Sequence, residues 1–146
     1  SKPRRALPKR QPSLTRKRPS RALSFFLHLY EDAVTFCNFN KYMTGYADTD
    51  LFGPSDELTR AQFVTVLHRI VDPEAAGVDF TTAKNETGFA DVEDGMFYTA
   101  AANWAVVNKT ITGVDVDGTR YIQADTILSR AMAAQVIANS CYNYLL

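Results

Sequence analysis

Two arginines stand where a helix tolerates them poorly. Arg60 follows Thr59 and precedes Ala61; Arg130 follows Ser129 and precedes Ala131. Thr59-Arg60-Ala61-Gln62 fits the capping box that opens a helix: the Thr hydroxyl accepts from the backbone N–H three residues on, and the Gln side chain reaches back. A cation in that first turn faces the positive end of the helix dipole, at a cost of roughly 0.3 kcal/mol. Beside unpaired backbone N–H groups, a guanidinium there makes a planar, bidentate receptor for a carboxylate or a phosphate. The structural alternative is an Arg paired with an acid such as Asp91, Glu93 or Asp94. The two are compatible, because a ligand carboxylate can displace or share such a pair.

No other residues assemble a reaction. His28 and His68 have no Ser or Cys nucleophile at a recognisable spacing. The adjacent acids Glu31-Asp32, Asp56-Glu57 and Glu93-Asp94 sit near helix starts, where dipole compensation explains them. Sequence neighbours do not face one another on a helix, so none forms an acid/base pair. Asp115-Val116-Asp117-Gly118 and Asp48-Thr49-Asp50 lack the spaced ligands and closing Glu of a calcium loop and read as turns. Cys37 and Cys141 follow no zinc spacing and read as small core residues on apolar helical faces. A single staple between them stays open in an extracytoplasmic setting. The chain is expected not to be an enzyme, with no metal and no cofactor.

An internal repeat positions the two arginines. At an offset of 68, Asn40-Lys41-Tyr42-Met43-Thr44-Gly45 falls on Asn108-Lys109-Thr110-Ile111-Thr112-Gly113, and Tyr30, Ala33 and Phe36 fall on Tyr98, Ala101 and Trp104. After a two-residue insertion, the offset becomes 70, and Leu58-Thr59-Arg60-Ala61 falls on Leu128-Ser129-Arg130-Ala131. Each copy reads as helix, turn, helix. In the first, Tyr30, Ala33, Val34 and Cys37 give one apolar stripe, and Gly45 stands where that helix should stop. A second helix starts at Thr59 with the stripe Phe63, Val64, Leu67, Ile70 and Val71. The second copy repeats this with Phe97, Ala101, Trp104 and Ala105, a stop near Gly113, and a stripe of Ala133, Val136, Ile137 and Cys141. The predicted class is all-α: tandem helix-turn-helix repeats packed side by side, with short strand-like segments in the turns. The first copy spans 24–71, a linker 72–88, and the second copy 89–146.

Charge divides the chain further. Of 16 Lys+Arg, nine lie in residues 1–21, together with four of the six prolines and no acid. That leaves 7 basic residues against all 16 acids in the rest, a net of −9 under an overall charge of +0. A Pro-rich run of like charges buries too little apolar surface to fold, so residues 1–23 are predicted to be a disordered basic tail. With no aromatic before Phe25 to stack on bases, the tail does not read as a nucleic-acid arm. No stretch approaches the ~18 apolar residues of a membrane span. At 146 residues, starting on Ser, the sequence suits one compact unit and is expected to be part of a longer protein.

The ordered set Phe89-Ala90-Asp91-Val92, Phe97-Tyr98, Trp104-Ala105, Ile111-Thr112-Gly113 and Leu128-Ser129-Arg130-Ala131 resembles the S-layer homology repeat. The first copy resembles it through Tyr30, Ala33, Met43-Thr44-Gly45-Tyr46, Phe52-Gly53-Pro54 and Leu58-Thr59-Arg60-Ala61-Gln62-Phe63. The resemblance covers about 28–142 and implies a non-catalytic module that holds surface proteins on the bacterial cell wall. Such modules bind secondary cell-wall polysaccharide, commonly pyruvylated, in grooves between neighbouring repeats. The Arg of the family's Thr-Arg-Ala-Glu motif maps onto Arg60 and Arg130, with Thr59 and Ser129 before them. Asp91, Gly45 and Gly113 lie on matching motifs, and Phe97, Tyr98 or Trp104 could stack on a sugar ring, although helix packing is their simpler role. The motif's final Glu is replaced by Gln62 and Met132, and the first copy opens on Ser24-Phe25-Phe26-Leu27 instead of Phe-x-Asp-Val. The family usually carries three repeats where this chain has two, so a third repeat or self-association is an expected partner. The implied location is extracellular, at the cell wall; the alternative function is a structural or protein-interaction repeat domain that binds no glycan.

Overall fold

A computed structural model describes residues 21–145, with side chains from 29 to 143. The chain is mainly helical with one small antiparallel hairpin: α1 (Arg21–Phe39), α2 (Arg60–Val71), α3 (Thr99–Val107), β1 (Val114–Val116), β2 (Thr119–Tyr121) and α4 (Arg130–Leu145). Single turns of 3-10 helix at Pro73–Gly77 and Phe80–Thr82 follow α2. It divides into two compact units, one through Asp56 and one from Glu57 onward, a boundary that falls inside the expected first copy. The predicted tail lies outside the described residues except for Arg21, Ala22 and Leu23, which are corrected to the first turn of α1. No described helix is long and apolar enough to cross a membrane.

In the first unit, the end of α1 is closed by its own backbone. Asn40 N–H donates to Phe36 O at 3.1 Å, and Tyr42 and Met43 N–H both donate to Cys37 O. Lys41 turns the chain at φ 59°, and Gly45 does so again at φ 77°. A β-carbon on Gly45 would lie 2.3 Å from Leu51 O, so glycine is required there. The same local geometry recurs at the offset of 68. Asn108 N–H donates to Trp104 O, Thr110 and Ile111 N–H donate to Ala105 O, and Lys109 and Gly113 take φ 54° and 73°. At the offset of 70, Asp56 N–H on Gly53 O is matched by Thr126 N–H on Gln123 O, with φ 64° at Gly53 and 57° at Gln123.

The second unit holds the core. α2 packs on α3, and Ala61, Val64, Phe89, Val92, Tyr98, Ala101, Ala102, Ala105, Ile111, Ile122, Ala124 and Val136 form one buried cluster. The hairpin pairs Val114 with Tyr121 and turns through Asp117 and Gly118, both at positive φ, as a two-residue turn between right-twisted strands requires. The later part of the expected linker is bound into this unit. Asn85 donates to Phe89 O and Val92 O, Asp94 accepts from Asn85 N–H and Lys84, and Asn103 donates to Lys84 O.

Several expected stripes are rotated. In α1, Val34 and Cys37 are half-buried while Tyr30 and Ala33 are exposed. In α2, Ile70 and Val71 are exposed, and Ala61, Val64 and Thr65 take the buried face. α3 starts at Thr99, so Phe97 precedes it and is exposed, while neighbouring Tyr98 is buried. In α4, Val136 and Ser140 face inward, whereas Ile137 and Cys141 point out. The cause is polar: Asn139 donates to Thr110 O and Asn143 to Asn108 O, meeting carbonyls just past the end of α3, and this fixes the rotation of α4. Cys37 and Cys141 are both free thiols, and Cys141 is no core residue. Burial raises the pKa of Cys37.

Candidate functional site

Three segments meet at the start of α2. Thr59 caps the helix as its sequence predicts: its hydroxyl accepts from Gln62 N–H at 3.2 Å, and the Gln62 side chain accepts from Thr59 N–H at 2.9 Å. The segment 122–128 runs alongside as a strap. Arg60 N–H donates to Thr126 O at 2.9 Å, Ala61 N–H to Ala124 O at 3.0 Å, and Leu128 N–H to Leu58 O at 2.9 Å. The near end of the strap is held by Asp91, whose carboxylate accepts from Ile122 N–H and Gln123 N–H, both at 2.7 Å.

This arrangement corrects one part of the sequence reading. The first-turn N–H groups of α2 are all taken, two by the strap, one by the Thr59 hydroxyl and one by Thr59 O. No open backbone receptor remains there, and any anion would have to be met by the Arg60 side chain itself. That side chain is half-buried, and its Nε is buried without a hydrogen-bond partner. Burial lowers the Arg60 pKa, and the charge of Asp91 partly restores it. Among the described residues no carboxylate comes within ion-pair distance of Arg60, so Asp91 acts on it only through space.

Next to this helix start lies a cleft of about 380 Å³ lined by Asp91, Tyr98, Gln123, Ala124, Asp125 and Thr126. Tyr98 is buried, with its hydroxyl 3.5 Å from Asp91 O, and its phenol pKa is raised by burial and then by Asp125, Asp91 and Glu93. The lining offers carboxylate, amide and hydroxyl groups suited to sugar hydroxyls. Its own charges, Asp91 and Asp125, are negative and disfavour a ligand carboxylate, and Arg60 is not among its lining residues.

The other expected site residues are elsewhere. Arg130 and Ser129 are exposed at the start of α4, where the Ser129 hydroxyl accepts from Met132 N–H; neither lines the cleft. Gly45 and Gly113 serve the backbone: a β-carbon on Gly113 would lie 2.4 Å from the Phe89 ring and 2.9 Å from Tyr121 O. Phe97 lies edge-on against Tyr98, with ring centroids 5.1 Å apart. Trp104 stacks on His68 at 5.2 Å, a packing role between α3 and α2. Within the second unit, Asp91 and Tyr98 thus line the cleft, Thr59 and Arg60 stand at the helix start bound to its strap, and Arg130, Ser129, Phe97, Trp104 and Gly113 do not line it; Gly45 belongs to the first unit.

Sequence reasoning missed Gln123, Asp125 and Thr126. The available signal was the alignment of Gln123 with Gly53, which marks a position of positive φ in a turn. Compared with protein families, curated proteins and solved structures, the chain matches none of them.

Proposed function

We propose that the chain is a non-catalytic carbohydrate-binding module for an anionic, pyruvylated secondary cell-wall polysaccharide, built from two tandem helix-turn-helix copies and acting outside the cell at the wall. The observation that carries this reading is Arg60: a half-buried side chain with a partnerless Nε, on a residue whose backbone N–H is bound to Thr126 of the polar cleft. Burying a polar group without a partner is costly, and a ligand oxygen would offset that cost. In this reading the Arg60 guanidinium takes the ketal carboxylate, while Asp91, Gln123, Asp125 and Thr126 take ring hydroxyls. Support for two copies comes from the hydrogen bonds and positive φ values that recur at offsets of 68 and 70. Arg130, exposed and away from the cleft, is the secondary contact.

The test is co-sedimentation with purified wall sacculi before and after acid removal of ketals. Retention should fall after the treatment, and Arg60→Ala should weaken binding at least tenfold with unchanged circular dichroism. Retention indifferent to both would overturn the reading. It would select the second one, a structural repeat domain without glycan binding, which the exposed apolar side chains of α4 favour.

A further inference from the structure

We infer that this chain associates head to tail with a second copy of itself, α1 and the segment Pro54–Asp56 of one chain covering α4 of the other. The inference rests on the internal offsets and not on glycan binding.

At those offsets α2 corresponds to α4, α1 to α3, and 54–56 to 124–126. Within the second unit, α2 is covered twice. α3 packs on it, leaving Tyr98 7% and Ala101 1% exposed with Trp104 stacked on His68, and the strap takes Arg60 N–H and Ala61 N–H. α4 has neither cover. Ile137 is 46% and Tyr142 72% exposed, on one stripe with exposed Ala134, Ala138 and Cys141. The corresponding residues of α2 include fully buried Val64 and half-buried Leu67 and His68. Arg130 N–H and Ala131 N–H, the counterparts of the two strapped donors, have no partner among the described residues.

The first unit carries the matching half, also open. Tyr30 is 55% and Phe36 40% exposed, with Ala33 exposed between them; their counterparts are Tyr98, Trp104 and Ala101, the residues that α3 turns to α2 and the core. Pro54 O and Asp56 O have no hydrogen-bond partner among the described residues, and their counterparts are Ala124 O and Thr126 O, the two strap groups that pair with α2. Charge agrees: residues 29–56 carry Glu31, Asp32, Asp48, Asp50 and Asp56 against Lys41, while α4 carries Arg130 and no acid. A single chain therefore displays both halves of a pairing it already makes once internally. Because the two halves are different surfaces, the contact is heterologous and closes a ring or propagates.

Sedimentation velocity of the full chain from about 1 to 200 µM tests this. The expected result is a concentration-dependent rise to a dimer or a larger closed species. A monomer throughout, including one with its α4 face covered by its own first unit or by a further repeat, would overturn it. Ile137→Glu replaces an exposed side chain and should weaken association at least tenfold while leaving the circular dichroism spectrum unchanged; unaltered association would overturn the assigned face. Arg130→Pro keeps a residue tolerated at the first helical position but removes its N–H. It should associate several-fold more weakly than Arg130→Ala, and equal behaviour of the two would overturn the strap pairing.

Discussion

Replacing Asp91 by alanine probes the joint between the cleft and the fold. The carboxylate accepts two short backbone bonds, from Ile122 and Gln123. Gln123 is exposed, so water can replace its bond at little cost. Ile122 is fully buried, and its N–H would be left with nothing to donate to; an orphaned buried donor costs about 1–3 kcal/mol. The charge on Arg60 also loses its nearest opposing field, a smaller effect of about 0.5 kcal/mol because the site is partly open to solvent. Together these give a loss of about 1.5–3.5 kcal/mol for Asp91→Ala. Asp91→Asn keeps one acceptor oxygen and should lose about half as much. Equilibrium urea unfolding followed by circular dichroism measures both, with the m-value checking that the transition stays comparable. A loss below about 0.5 kcal/mol for Asp91→Ala would refute the claim that this carboxylate anchors the strap.

Two glycines separate crowding from backbone strain. Gly118→Ala meets open space at φ 80° and should cost about 1–2 kcal/mol from the left-handed conformation alone. Gly113→Ala adds a collision with Phe89 and Tyr121 O and should cost visibly more in the same unfolding assay; the reverse order would contradict the placement of Phe89. His68 sets a pH dependence. Burial lowers its pKa below the ordinary value of 6.5, Asp72 opposes this and Arg69 adds to it. The unfolded chain therefore takes up this proton first, so the contribution of neutral His68 is present above about pH 6.5 and is lost as pH falls below it. Urea unfolding between pH 7.5 and 5 should show a shallower acid loss for His68→Gln than for the unaltered protein, and parallel curves would contradict it.

What the sequence disclosed was local, and what it hid was not. The Thr59 capping box, the left-handed Gly45 and Gly113 and the Asp117-Gly118 turn each depend on a few neighbouring residues, and each stands where the pattern puts it. Stripes fared less well. α3 begins only at Thr99, so helix periodicity does not place the two rings before it, and Tyr98 is buried instead of Phe97. On α4 a shift of one residue turns the face by about 100°, and two asparagines bound to carbonyls beyond α3 decide which side faces in. Asp91 was read as a partner for Arg60; its oxygens instead hold Ile122 and Gln123, more than thirty positions away, and no pattern along the chain announces such a bond. The strap that fills the first turn of α2 was invisible for the same reason.

That strap also has a bearing on the order in which the protein can be made. The helix beginning at Arg60 draws two of its opening hydrogen bonds from residues 124 and 126, which leave the ribosome more than sixty positions later. Until they emerge, nascent α2 has only its own cap to hold it, and short isolated helices are marginal in water. Folding of the second unit thus waits on late, sequence-distant closure, the kind of connection that slows a chain and leaves its apolar surfaces open to chaperones in the interval.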